Sequence, residues 1–118
     1  MKLTHLKLLL NRKSIDCAIF LAEEQPNPTI TQITQLPNLT QTVLLVPLSG
    51  KPTLYVSELS YGGIKKQQGI DIKKLNKPLS EIINSQHRCK TMGIDAGRLS
   101  NYNYERLSKK LKDCKFVD

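Results

Sequence analysis

Lys90-Thr91-Met92-Gly93-Ile94-Asp95-Ala96-Gly97-Arg98-Leu99-Ser100-Asn101-Tyr102-Asn103-Tyr104-Glu105-Arg106-Leu107 begins as an apolar strand, turns at a glycine and continues as a helix. Ser100 is an N-cap residue, able to accept a hydrogen bond from a backbone N–H two or three positions on. Tyr104, Leu107 and Leu111 then recur on one helical face. A last strand follows at Cys114 to Val117. The segment is an α/β unit that holds no nucleophile, base or glycine-rich phosphate loop.

Upstream, Leu3, Leu6 and Leu10 share one side of a first helix over residues 3–13, with His5, Lys7, Arg12 and Lys13 largely away from it. Ile15 to Leu21 is a near-continuous apolar run, the pattern of a strand covered on both faces. From Ala22 to Thr40 the chain turns polar, and Pro26, Pro28 and Pro37 interrupt regular structure. Ile30, Ile33 and Leu36 allow one short helical stretch there. Thr42 to Val46 and Thr53 to Val56 flank Pro47-Leu48-Ser49-Gly50-Lys51-Pro52, which predicts a β-hairpin. A helix over Ser57 to Gln68 is weakened by Gly62-Gly63, at roughly 1 kcal/mol per glycine relative to alanine. Ile70-Asp71-Ile72 reads as a short strand. Asn76 and Pro78 open a helix with Leu79, Ile82 and Ile83 as its buried stripe, and Ser85 to Lys90 returns the chain to the sheet.

The 118 residues suit a single domain that buries roughly two thirds of the surface its unfolded chain exposes. With no tryptophan and 5% aromatic residues, the core must be aliphatic, and a base-stacking platform is not expected. Eighteen Lys and Arg against ten Asp and Glu give a formal charge of +8. The densest groupings, Lys65-Lys66, Lys73-Lys74 and Lys109-Lys110-Lys112, are too short for a polyanion tract and read as solvated faces. The three cysteines, Cys17, Cys89 and Cys114, are odd in number and lack a CxxC pair, so neither a disulfide framework nor a thiolate zinc site is expected. Cys17 reads as a small buried hydrophobe. Leu8-Leu9-Leu10, followed by Asn11-Arg12-Lys13, is too short for a signal peptide, and no apolar run reaches membrane-spanning length. A cytoplasmic protein without membrane contact is the expectation.

No metal-ligand, catalytic or cofactor-binding residue is assigned. His5 and His87 fall on separate elements, and His87 with Cys89 forms an HxC pair whose further ligands are missing. There is no GxSxG elbow and no Walker or Rossmann loop. Asp16, Asp71 and Asp95 each flank a strand, the placement from which a two-metal nuclease site at a sheet edge is built.

In order and spacing the chain resembles the N-terminal domain of the creatinase and prolidase family, which includes Xaa-Pro dipeptidases and aminopeptidases. The residues that carry the resemblance are Lys2-Leu3 to Lys13 before Asp16-Cys17-Ala18-Ile19, Leu44-Leu45-Val46-Pro47 with Gly50-Lys51-Pro52-Thr53-Leu54, and Gly93-Ile94-Asp95 with Leu99-Ser100 and Tyr104-Glu105-Arg106-Leu107. Where such domains commonly carry an aromatic, glycine-phenylalanine stretch, this chain has Thr34-Gln35-Leu36-Pro37-Asn38-Leu39-Thr40. The resemblance implies a ribonuclease-H-like three-layer α/β fold over residues 1–118, with a central mixed sheet of about five to six strands and helices on both faces. It also implies a catalytic pita-bread domain beyond Asp118, in which two Asp, one His and two Glu hold two divalent metal ions (Mn, Co or Zn). The domain itself would then pack on that catalytic domain, contribute to a homodimer and wall the active-site cleft. Two further readings stand beside it. One is a stand-alone module that binds a protein or polyanion, as creatinase-like domains do in a histone chaperone. The other is a small ribonuclease-H-like nuclease using Asp16, Asp71 and Asp95. Nucleic acid is otherwise not an expected partner.

Overall fold

The computed structural model describes residues 3–36, 39–57, 61, 69–75, 91–94 and 115–117. They form two helices, α1 (Leu3–Arg12) and α2 (Pro28–Thr34), and six strands. The strands are β1 (Cys17–Ala22), β2 (Thr42–Pro47), β3 (Thr53–Val56), β4 (Asp71–Lys74), β5 (Thr91–Ile94) and β6 (Lys115–Val117). One mixed sheet contains them all in the order β4-β3-β2-β1-β5-β6.

β1 and β2 pair antiparallel from Cys17↔Pro47 to Ala22↔Thr42, and β2 continues into the hairpin with β3 through Val43↔Tyr55, Leu44↔Leu54 and Leu45↔Thr53. The hairpin is the one predicted from the two β-rich runs, with Gly50 at φ +105° in its turn, a conformation a side chain would strain. β4 joins β3 in parallel, β5 joins β1 in parallel, and β6 joins β5 in parallel.

Strand alternation divides the core in two. Ala18, Ala22, Leu44, Val46, Leu54 and Val56 point to one face and pack with Leu6, Leu10 and Ile15 at the α1 side and with Ile30 of α2. Cys17, Ile19, Val43, Leu45, Tyr55, Met92 and Ile94 point to the other and are equally buried. Burial on both faces explains why the first two strands read as unbroken apolar runs rather than as alternating ones.

The ends of the helices are set by side-chain and backbone caps. α1 closes with a Schellman arrangement in which Ile15 N–H donates to Leu10 C=O at 2.8 Å and Ser14 N–H to Asn11 C=O at 3.2 Å. Ser14 takes the left-handed conformation this needs, at φ 55°. Ile15 and Leu10 then meet in the same core. α2 opens on Asn27, whose Oδ1 accepts from Thr29 N–H at 2.9 Å while its amide donates to Leu21 C=O at 3.0 Å. Only 2% exposed, this side chain ties the end of β1 to the start of α2. Pro28 occupies the first helical turn, where a missing N–H costs nothing, so it starts the helix rather than interrupting it.

The predicted first helix, both strands of the hairpin and the strand at residues 91–94 are observed within one or two residues of their expected ends. The strand expected at Ile70–Ile72 lies at Asp71–Lys74 instead. Parallel pairing with Thr53–Val56 draws the two lysines into the ladder. The helices expected over Asn76–Ile83 and Ser100–Leu111 lie outside the described residues, as does most of Ser57–Gln68. Tyr61, whose N–H donates to Ser57 C=O at 2.9 Å, is the one helical residue described there.

The reading of the cysteines needs correction. Cys17 is buried on the second face, as expected of a small hydrophobe, but it is disulfide-bonded. Counting and spacing missed this because residues far apart in sequence are brought together only by the fold. Cys89 and Cys114 lie outside the described residues.

Candidate functional site

The acidic residues singled out from the sequence are the place to look for chemistry. Asp16 immediately precedes β1, and its surroundings show what it does. Its backbone N–H donates to Thr91 C=O at 3.0 Å, its Oδ2 accepts from Thr91 N–H at 3.1 Å, and its C=O accepts from Leu48 N–H at 2.8 Å. One residue thus joins the start of β1 to the start of β5 and to the end of β2. The carboxylate acts as a hydrogen-bond acceptor for backbone, extending the short parallel ladder of Cys17↔Met92 to Ile19↔Ile94.

Asp71 begins β4, at the far edge of the sheet. Three inter-strand spacings separate it from the β1 position, about 14 Å across the sheet. Through Asp71↔Thr53, Thr53↔Leu45 and Leu45↔Ile19 it also lies level with Ile19, three residues along from Asp16, and over that combined separation the two carboxylates cannot share a metal pair, whose ions sit roughly 4 Å from one another. Its backbone is tied in as well, with Asp71 N–H donating to Pro52 C=O at 3.0 Å. Asp95 and His87 lie outside the described residues. His5 is exposed on α1. Among the described residues there is no group of three or more His, Cys, Asp or Glu placed to hold a metal ion.

The basic residues are similarly dispersed. Lys7 reaches from α1 across the hairpin turn to donate to Gly50 C=O at 2.7 Å. Lys74 sits 5.2 Å from the centroid of the Tyr61 ring, a cation–π contact that holds it at the end of β4. Lys73 is exposed on the same edge strand, where charge discourages pairing with a further strand. Lys65-Lys66 and Lys109-Lys110-Lys112 lie outside the described residues. Leu8, 57% exposed on the outer side of α1, and Tyr61 are the exposed large hydrophobic residues among those described. No helix among the described residues is long and apolar enough to cross a membrane.

Several polar side chains among the described residues serve backbone: Asp16 for β5, Asn27 for α2, and Thr34 through a bond from its Oγ1 to Ile30 C=O at 2.7 Å. Asn27 and Thr34 were not singled out from the sequence, although an Asn before Pro-Thr is a recognisable N-cap signal.

Comparison with known proteins gives the same picture of the fold. The family model described as the creatinase/prolidase N-terminal domain matches residues 2–118. The X-Pro aminopeptidase of Thermotoga maritima superposes with a TM-score of 0.83 at 15% identity, covering 99% of this chain and 33% of that one. The creatinase/prolidase N-terminal domain of an X-Pro dipeptidase from Streptococcus pyogenes gives 0.70 at 20% identity, covering 98% of this chain and 90% of that one. The prolidase of Pyrococcus horikoshii gives 0.72 at 25% identity, covering 97% of this chain and 31% of that one. The chain therefore spans about a third of the two whole enzymes it superposes on. No curated protein sequence matches it.

Proposed function

The chain belongs to the creatinase/prolidase N-terminal domain family, and from that membership we propose that it is a noncatalytic domain of an Xaa-Pro peptidase-like metallopeptidase. In this reading it packs against a catalytic domain, contributes to a homodimer and helps to wall the cleft in which substrate is cleaved. Metal-assisted hydrolysis next to proline, with two divalent ions activating water, belongs to that catalytic domain.

The observation that carries the reading is the family match over residues 2–118, together with a superposition that covers nearly the whole chain and about a third of an X-Pro aminopeptidase. The strand order supports it, because it sets Asp16 and Asp71 three strands apart and commits Asp16 to backbone. The same separation speaks against a nuclease built on Asp16, Asp71 and Asp95.

The test is an assay of the purified chain against Xaa-Pro dipeptides with Mn, Co or Zn supplied. No metal-dependent turnover is expected, and reproducible turnover that disappears with chelator would overturn the assignment. The dimer is checked separately by sedimentation equilibrium of the same protein. A dimer mass is expected, and a monomer at all concentrations would remove that part of the proposal alone.

A further inference from the structure

β4 stands at one end of the sheet order, with β3 on its inner side and no strand among the described residues on its outer side. Its hydrogen bonds show which backbone groups face out. Asp71 N–H donates to Pro52 C=O at 3.0 Å, and Leu75 N–H donates to Val56 C=O at 2.7 Å. By the two-residue repeat of a strand, Asp71, Lys73 and Leu75 turn their N–H and C=O groups toward β3, and Ile72 turns its pair outward. The side chains alternate as well. Ile72 packs toward the core on the face of Leu54, whereas Asp71 and Lys73 share the face of Tyr55 and are both exposed.

Charge on an edge strand discourages pairing with an arbitrary strand, and on β4 the charges leave one register open. Let a second copy of β4 run antiparallel across a two-fold axis at Ile72. The two Ile72 residues then exchange their outward N–H and C=O groups, and Asp71 of each copy stands opposite Lys73 of the other. Both opposite-charge pairs fall at non-hydrogen-bonded positions, where facing side chains approach most closely. The neighbouring registers that keep Ile72 hydrogen-bonded set Asp71 against Asp71 or Lys73 against Lys73, and like charges oppose them. The ring of Tyr61, 40% exposed and 5.2 Å from Lys74 Nζ, adds apolar surface beside this edge. We infer that β4 is the edge through which the chain meets a second copy of itself, with Asp71-Ile72-Lys73 as the self-complementary contact that joins two six-stranded sheets into one. The inference rests on the proposed homodimer and names its surface. So short an edge buries far less than the roughly 1,200 Å² of a stable interface, which makes the contact by itself reversible and concentration-dependent.

The experiment is sedimentation velocity of the whole chain from micromolar to millimolar concentration, with charge-reversal variants at the two exposed positions. The wild-type chain is expected to dimerise. Asp71→Lys and Lys73→Asp each bring like charges together at both pairs, and each should raise the dimer Kd by about tenfold or more. The double variant with Asp71→Lys and Lys73→Asp restores opposite charges in the same register and should dimerise nearly as the wild type does. A dimer that neither single substitution weakens, or whose loss the double variant does not repair, overturns the edge pairing and leaves a homodimer through another surface. A monomer at every concentration overturns the edge pairing and the homodimer together. Hydrogen exchange of the wild-type chain decides the point where a variant fails to fold. Ile72 N–H should exchange more slowly as concentration rises, and a rate independent of concentration would contradict the pairing.

Discussion

The antiparallel centre of the sheet, β1-β2-β3, and the parallel strands added to its flanks are held together by different means. In the centre, six residue pairs join β1 to β2, a tight turn joins β2 to β3, and side chains on both faces are buried. On the flanks, β4, β5 and β6 are strands of three or four residues, each reached by a long crossover. Single hydrogen bonds extend the ladders of β4 and β5: Asp71 N–H to Pro52 C=O, Leu75 N–H to Val56 C=O, and Thr91 N–H to the Asp16 carboxylate. The centre is held by packing, and so is the inner flank strand β5 through the buried Met92 and Ile94, whereas the edge strand β4, with three of its four residues exposed, relies more on single polar contacts. This follows from the topology, because a parallel strand needs a crossover of a dozen or more residues and gains no register from a turn.

If that contrast is right, the largest loss comes from the centre. Leu44→Ala removes a side chain that is 0% exposed and should destabilise by about 2–5 kcal/mol in denaturant unfolding, whereas Ile72→Ala on the edge strand should cost about 1 kcal/mol or less. Equal losses at the two positions would erase the distinction. Next is Asn27→Ala, which removes both the α2 cap and the buried tie to Leu21, at about 1–2 kcal/mol by the same measurement. A smaller and more local effect is expected of Asp16→Ala, about 1 kcal/mol. Hydrogen exchange should quicken at Met92–Ile94 while Val43–Leu45 stay protected, and Asp16→Asn, which keeps an acceptor, should restore most of the protection. The smallest change has the opposite sign. Ser14→Gly relieves a left-handed non-glycine residue at the α1 cap and should raise stability by about 0.5–1 kcal/mol, read as a higher melting temperature.

What the sequence made legible follows the same division. The hairpin was readable because its register is set by a short turn between two β-rich runs, and α1 because Leu3, Leu6 and Leu10 repeat at helical spacing. Pro28 was misleading: proline interrupts a helix interior but opens a helix at its first turn, and which of these applies depends on the Asn27 cap. β4 was placed one or two residues early because Lys73 and Lys74 look like solvated charge, and only pairing with Tyr55 and Val56 makes them strand. Asp16 and Asp71 were placed correctly at strand ends, yet their separation depends on strand order, a long-range property that no local pattern encodes. Cysteine spacing failed for the same reason at Cys17. The family, by contrast, was readable from the order of elements over the whole chain, and the match over residues 2–118 bears that out.

Titration of Mn²⁺ into the purified chain, followed by the electron paramagnetic resonance of the free ion, tests most directly whether this sheet is a scaffold rather than a reaction centre. Only weak, non-saturating loss of the free-ion signal is expected, unchanged by Asp16→Asn. Saturable binding of one or two ions per chain, abolished by Asp16→Asn, would contradict it.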